Sequence, residues 1–264
     1  MKLSIITVCY NAEKTISKCM ESVYKLKTRD YEYVIIDGDS SDKTISIVNE
    51  WGKKFESIGI SITIISEKDD GIYNAMNKAI NIAKGDWAIF INSDDCFADP
   101  EVINKCFNNR CNDCDVLYGD VVVSTDGELK YQKAKTLEQL KSGYEMPFCH
   151  QSTFTKTSCL KKYKFDENYR IIADIDLYLR LYEDGAIFEH IPCFVSIFSN
   201  DGISQTNRIR SIQEGKQLLR RHDILTLKQT VVLNSYLLWY SLKKVLPPFV
   251  IKLISNIKQK TRGN

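Results

Sequence analysis

The sequence predicts an α/β fold: a mainly parallel central sheet with flanking helices, followed by a C-terminal helical appendage. Three observations carry this expectation. Strand-like and helix-like segments alternate four times within the first hundred residues, the pattern of parallel strands joined by helical crossovers. The strand-like runs are continuously apolar, as in strands buried on both faces. The end of the chain changes character: from Gln205 onward twelve Lys or Arg face two acids, a net charge of +10 that leaves −8 for the rest. With 264 residues, 44% hydrophobic and 27% charged, the chain is one large globular domain with an appendage. The expected boundaries are 1–205 for the domain, divided into halves 1–114 and 115–205, and 206–264 for the basic tail.

Residues 3–9 read as the first strand, too short an apolar run for a signal peptide, with Asn11 placed to cap a helix reaching about Leu26. "YEYVIID" (31–37) is the second strand, followed by a helix from about Asp42 to Trp51. "ISITIIS" (60–66) is the third. Ile72, Ala75, Met76, Ala79, Ile80 and Ala83 then recur at helical spacing, with Gly85 as the stop. "DWAIFIN" is the fourth strand, and Asp99 and Pro100 suit the start of the next helix. Beyond residue 115 the pattern changes. "DVLYGDVVVST" and "ELKYQKA" flank Asp126-Gly127 as a hairpin. A short helix near 136–142, the loop "GYEMPFCHQ", a strand "STFT", helices near 157–162 and 174–184 and a last strand "CFVSIFS" (193–199) follow.

In open parallel sheets, ligands bind beyond the carboxyl ends of the strands. The first strand delivers Tyr10 and Asn11 there. The second delivers Asp37, Gly38, Asp39 and Ser40, the third leads to Asp69, Asp70 and Gly71, and the fourth to Asn92, Ser93, Asp94 and Asp95. Six carboxylates thus converge on one edge. Adjacent carboxylates repel, so a strand ending on Asp94 and Asp95 calls for a positive partner, and a divalent cation holding a phosphorylated substrate supplies one. No Gly-x-Gly-x-x-Gly follows the first strand and no phosphate loop with Lys is present, which argues against a nicotinamide cofactor or a simple NTPase. Three readings use such an edge. "VIIDGDSSD" looks like the nucleophile strand of a haloacid-dehalogenase-type phosphotransferase, with Asp37 and Asp39 as its Asp-x-Asp, although here a whole strand and helix precede it. The second is a nucleotide-sugar glycosyltransferase. The third is a membrane-docked nucleotide-sugar binder without catalysis.

Four stretches in order make one resemblance specific: "SIITVCYNAEKTISKCMESV", "YVIIDGDSSDKT", "DDGIYNAMNKAINIAKGDWAIFINSDDCF" and "FCHQSTF…FDENYRIIADIDLYLRLYEDG". Over about residues 2–205 they resemble the family 2 inverting glycosyltransferases of the GT-A fold, nearest those that build capsule, O-antigen or colanic-acid-type polysaccharide. The resemblance implies that Asp37 bonds the base or ribose of the nucleotide, with Gly38 where many members carry a second Asp and Asp39 beside it. It implies that Tyr10 lies against the base and that Asp70 lines the nucleotide pocket. Residues 92–95 are similar to the family's Asp-x-Asp-Asp with Asn92 replacing the first acid, which implies Asp94 and Asp95 as ligands of Mn²⁺ or Mg²⁺. "ADIDL" is similar to Glu-Asp-x-Asp-Leu, with Ala173 for the Glu, which implies Asp174 as catalytic base. Asp174 and Asp176 lie two apart on a helix and cannot share a face, so one of them is structural. His150 and Gln151 match a His-Gln of close relatives, which implies that either can touch acceptor or donor phosphate, and "NDGIS" (200–204) resembles a loop that closes over the site. The implied donor is a nucleotide-diphosphate sugar, a UDP-sugar foremost, and the implied acceptor a saccharide or lipid-linked saccharide.

The tail supplies the remaining expectations. "QTVVLNSYLLWYSL" (229–242) is uncharged but fourteen residues long, short of the ~20 that span a bilayer. Tyr236, Trp239 and Tyr240 beside Lys243 and Lys244, then Pro247-Pro248 and "FVIKLISNIKQKTR", fit a helix in the interface of an anionic membrane. Its other use is packing on the body or in a homodimer. The expected location is cytoplasmic, peripheral on the inner face of the membrane, with no nucleic-acid partner. Nine Cys at irregular spacing, including Cys106, Cys111 and Cys114, read as free thiols of a reducing compartment rather than a zinc site or disulfide framework.

Overall fold

The computed structural model describes residues 2–108, 110, 113–125, 127–142, 146–199 and 207–243. The chain divides into two compact units, Met1–Gly202 and Ile203–Asn264. Asp126 of the hairpin turn, Cys111, residues 143–145 of the loop before His150, the 200–204 loop and everything from Lys244 onward lie outside the described residues.

The first unit is built on one nine-stranded mixed sheet. β1 (Leu3–Cys9), β2 (Tyr31–Asp37), β3 (Ser61–Ser66) and β4 (Trp87–Phe90) run parallel in the order β3-β2-β1-β4. β1, β2 and β4 are buried at every position, whereas β3 alternates in exposure as an edge strand does. β8 (Thr153–Lys156) pairs antiparallel with β4 and continues the sheet to β6 (Val116–Thr125), β9 (Phe188–Ser199) and the two-residue β5 (Cys96–Phe97). β7 (Glu128–Gln132) closes a hairpin on β6. The second half of the chain therefore extends the same sheet from β4, and one core runs from Tyr33 and Phe55 to Phe154 and Val195.

The helices follow from periodicity. α1 (Ile16–Tyr24) buries Ile16, Cys19, Met20 and Val23, the i, i+3, i+4, i+7 stripe of an amphipathic helix. α2 (Thr44–Ser57) and α3 (Ile72–Ile82) also pack in this half. α4 (Val102–Asn108), α5 (Thr157–Tyr163) and α6 (Ala173–Glu183) accompany the second half.

Several local expectations change. Asn11 does not cap α1: it sits at φ 48°, and its side chain accepts Ser41 N–H at 2.9 Å. α2 begins after Asp42, whose carboxylate accepts Thr44 N–H at 2.9 Å, and runs six residues beyond Trp51. Gly85 is not a left-handed helix stop. A Cβ there would meet Ser4 N at 2.5 Å, so the glycine is needed for close approach to β1. Beside it, buried Glu32 accepts from Ser4 Oγ at 2.7 Å and from the Gly85 amide at 3.1 Å.

The second unit contains α7 (Arg208–Arg221) and α8 (Leu227–Lys243), which pack through Ile212, Leu219 and Leu233. Leu227, Val231, Leu238 and Leu242 of α8 are exposed and fall within about 60° of helical arc. Among the described residues no helix is long and apolar enough to cross a membrane.

Candidate active site

The carboxyl ends of β1, β2 and β3 are laced together by polar groups. Gly38 N–H donates to Cys9 O at 2.9 Å and Asn11 N–H to Ser40 Oγ at 2.8 Å. Asp37 sits at the centre, fully buried. One carboxylate oxygen accepts from Ser40 N–H at 3.0 Å and Ser66 Oγ at 2.6 Å, the other from Ser40 Oγ at 2.5 Å and Cys9 Sγ at 3.6 Å. Its acceptor capacity is used inside the protein, so its work in this structure is to hold three strand ends in register. Tyr10 beside it is 65% exposed, a free aromatic face at the site. Asp39 is exposed in the left-handed region at φ 65°.

Gly38 shows which acid faces Tyr10. A Cβ at residue 38 would meet Asp69 Oδ2 at 2.5 Å and Tyr10 Cδ2 at 3.3 Å. The Asp69 carboxylate occupies the space that a side chain at 38 would need, and its Oδ1 accepts Gly71 N–H at 2.8 Å. Among the six strand-end acids the sequence assigns Asp69 no role of its own, and this tertiary approach singles it out. Asp70 is exposed and lines a small crevice with Gly71, Tyr73, Asn74, Glu167 and Arg170. Arg170 Nη1 lies 2.6 Å from where a Cβ on Gly71 would be, which puts a cation among the acids.

The acidic pair after β4 diverges. Asp94 is exposed and Asp95 buried. Asp95 Oδ1 accepts Ser199 N–H at 3.0 Å, which ties this loop to the end of β9. Asp95 Oδ2 and Asn92 Oδ1 are buried without a hydrogen-bond partner. Burial, followed by the Asp94 charge, raises the Asp95 pKa well above the usual carboxylate range, with the Ser199 N–H and then Gln151 opposing. Two orphaned hard oxygens beside an exposed carboxylate are a donor set of the kind Mg²⁺ and Mn²⁺ take. Among the described residues no group of three His, Cys, Asp or Glu is gathered to hold a metal unaided.

Asp174 stands at the start of α6. Tyr73 OH on α3 donates to Ile171 O at 2.7 Å and reaches Asp174 Oδ1 at 3.3 Å. Burial lifts the Asp174 pKa to about 6, against the helix N–H groups and the Tyr73 hydroxyl that favour its charged form. Asp176, on the opposite face, is fully buried and accepts from Arg180 Nε at 2.7 Å, while the same guanidinium bonds Tyr163 O and Lys164 O.

The 149–151 segment lies between the two acidic centres. Loss of solvent raises the half-buried Cys149 thiol first, with the charges of Asp95 and Asp174 adding to it, and Cys149 Sγ lies 3.0 Å from Gln151 Oε1. His150 packs among Phe90, Phe165 and Tyr178, its pKa pushed down to about 4 by burial, and its Nε2 has no hydrogen-bond partner. It is a neutral imidazole with one unused polar atom.

Comparison with known proteins agrees in fold and family. The family model "Glycosyl transferase family 2" matches residues 4–171. A PGL/p-HBAD biosynthesis glycosyltransferase of Mycobacterium tuberculosis is 27% identical over 208 residues, covering 77% of this chain and 79% of that protein. Mannosyltransferase PcManGT from Pyrobaculum calidifontis, solved with GDP-Man and Mn²⁺, superposes with a TM-score of 0.67 at 18% identity over 97% of this chain and 79% of that one. S. aureus TarS 1–349, solved with UDP-GlcNAc, gives 0.65 at 18% identity over 83% of this chain and 66% of that one, just under two thirds of its length. The architecture is the GT-A fold that the motifs implied.

Proposed function

Since the chain belongs to glycosyl transferase family 2 and is a glycosyltransferase, we propose that it transfers a sugar from a nucleotide-diphosphate sugar, a UDP-sugar foremost, to a hydroxyl of a saccharide or lipid-linked saccharide, with inversion. The observation that carries this reading is Asp174. It is a carboxyl with a pKa near 6, held by Tyr73 and sharing the Cys149 segment with Asp95. A base of that strength is ionised at neutral pH and still accepts a proton. The family match sets aside the phosphotransferase reading, and Asp37, enclosed by Ser40, Ser66 and Cys9, is no exposed nucleophile.

In the proposed reaction Asp174 removes the proton of the acceptor hydroxyl. The oxygen attacks the anomeric carbon in line, opposite the departing nucleoside diphosphate, and one displacement inverts the centre. Tyr10 offers an aromatic face to the base, with Asp69 and Asp39 beside it and Asp70 and Arg170 at the next loop. Asp94, Asp95 and the neutral oxygen of Asn92 are the residues that would hold Mn²⁺ or Mg²⁺, whose charge would offset that developing on the diphosphate. Gln151 favours the charged form of Asp95, and His150 beside it in sequence is a neutral imidazole for contact with acceptor or donor phosphate. Mn²⁺ and GDP-Man with PcManGT, and UDP-GlcNAc with TarS, support this donor class.

Asp174→Asn tests the assignment. Donor binding, read by thermal shift with UDP-sugars and Mn²⁺, is retained, while turnover falls by about 10³-fold or more. Retained turnover refutes Asp174 as base, and absent donor binding in the native chain refutes the donor class. A binder without catalysis would show binding and no turnover in the native chain.

The tail has its own role in this reading. The exposed apolar stripe of α8 and the basic sequence around it support a role for the tail in docking on an anionic membrane surface, where a lipid-linked acceptor would reside.

A further inference from the structure

Cys106 on α4 and Cys193 on β9 approach each other at 3.1 Å between sulfurs, 87 residues apart in sequence, and both are free thiols. That is roughly 1 Å more than a disulfide bond. The approach has a structural cause. β9 pairs with β6 in register up to Ile191 opposite Gly119, meets it again at Phe194 opposite Asp120, and resumes regular pairing from Ser196 opposite Val121. Pro192 and Cys193 are the extra residues of a bulge, a device that re-aims side chains off a ladder. Gly119 permits it, since a Cβ there would meet Cys193 O at 2.8 Å and Val195 Cγ2 at 2.4 Å. Cys106 is completely buried, whereas Cys193 is reachable from solvent.

We propose that Cys106 and Cys193 are a redox-responsive pair that a peroxide closes into a disulfide, tying α4 to the bulge of β9. The accessible Cys193 reacts first. Its thiolate attacks one peroxide oxygen, the O–O bond breaks, and a sulfenic acid and one water form. Cys106 then attacks the sulfenic sulfur and releases the second water. Two thiols and one hydrogen peroxide become one disulfide and two waters. The hydrogen bond from Cys106 and the nearby Lys105 lower the Cys193 pKa, while Cys106 is raised, which suits the order of attack. The two elements bracket the acidic loop. α4 follows that loop after β5, and β9 pairs with Cys96 and Phe97 and ends at Ser199 on Asp95.

The test uses the full-length chain, reduced and then treated with hydrogen peroxide, alkylated, and digested without reductant. The expected product is a linked peptide pair carrying Cys106 and Cys193, lighter by two hydrogens and released by dithiothreitol. The thermal midpoint of unfolding rises by about 5 °C in the same samples and returns on reduction. Cys193→Ser and, independently, Cys106→Ala remove both the link and the rise. Full alkylation of both cysteines after peroxide, linkage of either to another cysteine, or an unchanged rise in Cys193→Ser overturns the proposal.

Discussion

Asp174 illustrates what one side chain's surroundings dictate. Its pKa of about 6 against an ordinary 3.8 means that the folded state favours the protonated form. Its contribution to stability is therefore present below pH 3.8 and lost as pH rises through 6. Asp174→Asn should make the fold more stable by about 2 kcal/mol at pH 8, allowing for partial exposure, and by little at pH 4; urea unfolding at the two pH values reads the difference. In the native enzyme the same group gives kcat an acidic limb near pH 6, visible in a pH profile at saturating donor. Gly38 gives a second case at this scale. Gly38→Ala should cost about 1 kcal/mol because Asp69 already fills the space, and the cost should fall by about half or more in an Asp69→Ala background, measured as a double-mutant cycle. The strand-end acids could be found in the sequence because strand ends are marked by where apolar runs stop. Which acids turn inward could not: Asp37 and Asp95 are buried, Asp39, Asp70 and Asp94 exposed, and that follows from loop hydrogen bonds between residues such as Asn11 and Ser41, about 30 apart in sequence.

At the scale of elements, α6 is the piece on which the proposed base depends. Asp176 and Arg180 secure it to the end of α5, through a carboxylate that is fully buried and a guanidinium shared with Tyr163 O and Lys164 O. Arg180→Ala should destabilise the fold by about 3 kcal/mol, since it leaves a buried carboxylate without its cation; equilibrium urea unfolding measures it, and a change below about 1 kcal/mol would show the pair to be dispensable. Elements with a strong period were legible. β1 and β2 lie where their apolar runs lie, and α3 follows its stripe from Ile72. The two-residue β5 had no period to read and exists only because β9 passes beside it. β9 itself is longer than its apolar core, since its first half is held by β6 across a bulge rather than by its own pattern.

For the whole molecule, the charge division visible in composition corresponds to the two units, an acidic sheet-based body and a basic helical tail. The membrane role proposed for the tail predicts flotation of the full-length chain with anionic vesicles. Val231→Glu with Leu238→Glu should reduce the bound fraction about tenfold without changing turnover on a soluble acceptor, and raised salt should weaken binding further. Undiminished flotation of the double variant would remove α8 from the role. The sheet order has one more consequence, for the chain as it is being made. β4 lies in the middle of the finished sheet, but its second neighbour is β8, encoded about 65 residues later. At ordinary translation speeds of roughly 5–20 residues per second, the open side of Trp87–Phe90 waits some seconds for its cover. A nascent chain stopped short of Thr153 would present an apolar, unpaired strand edge, the form most prone to cling to its neighbours on the same messenger.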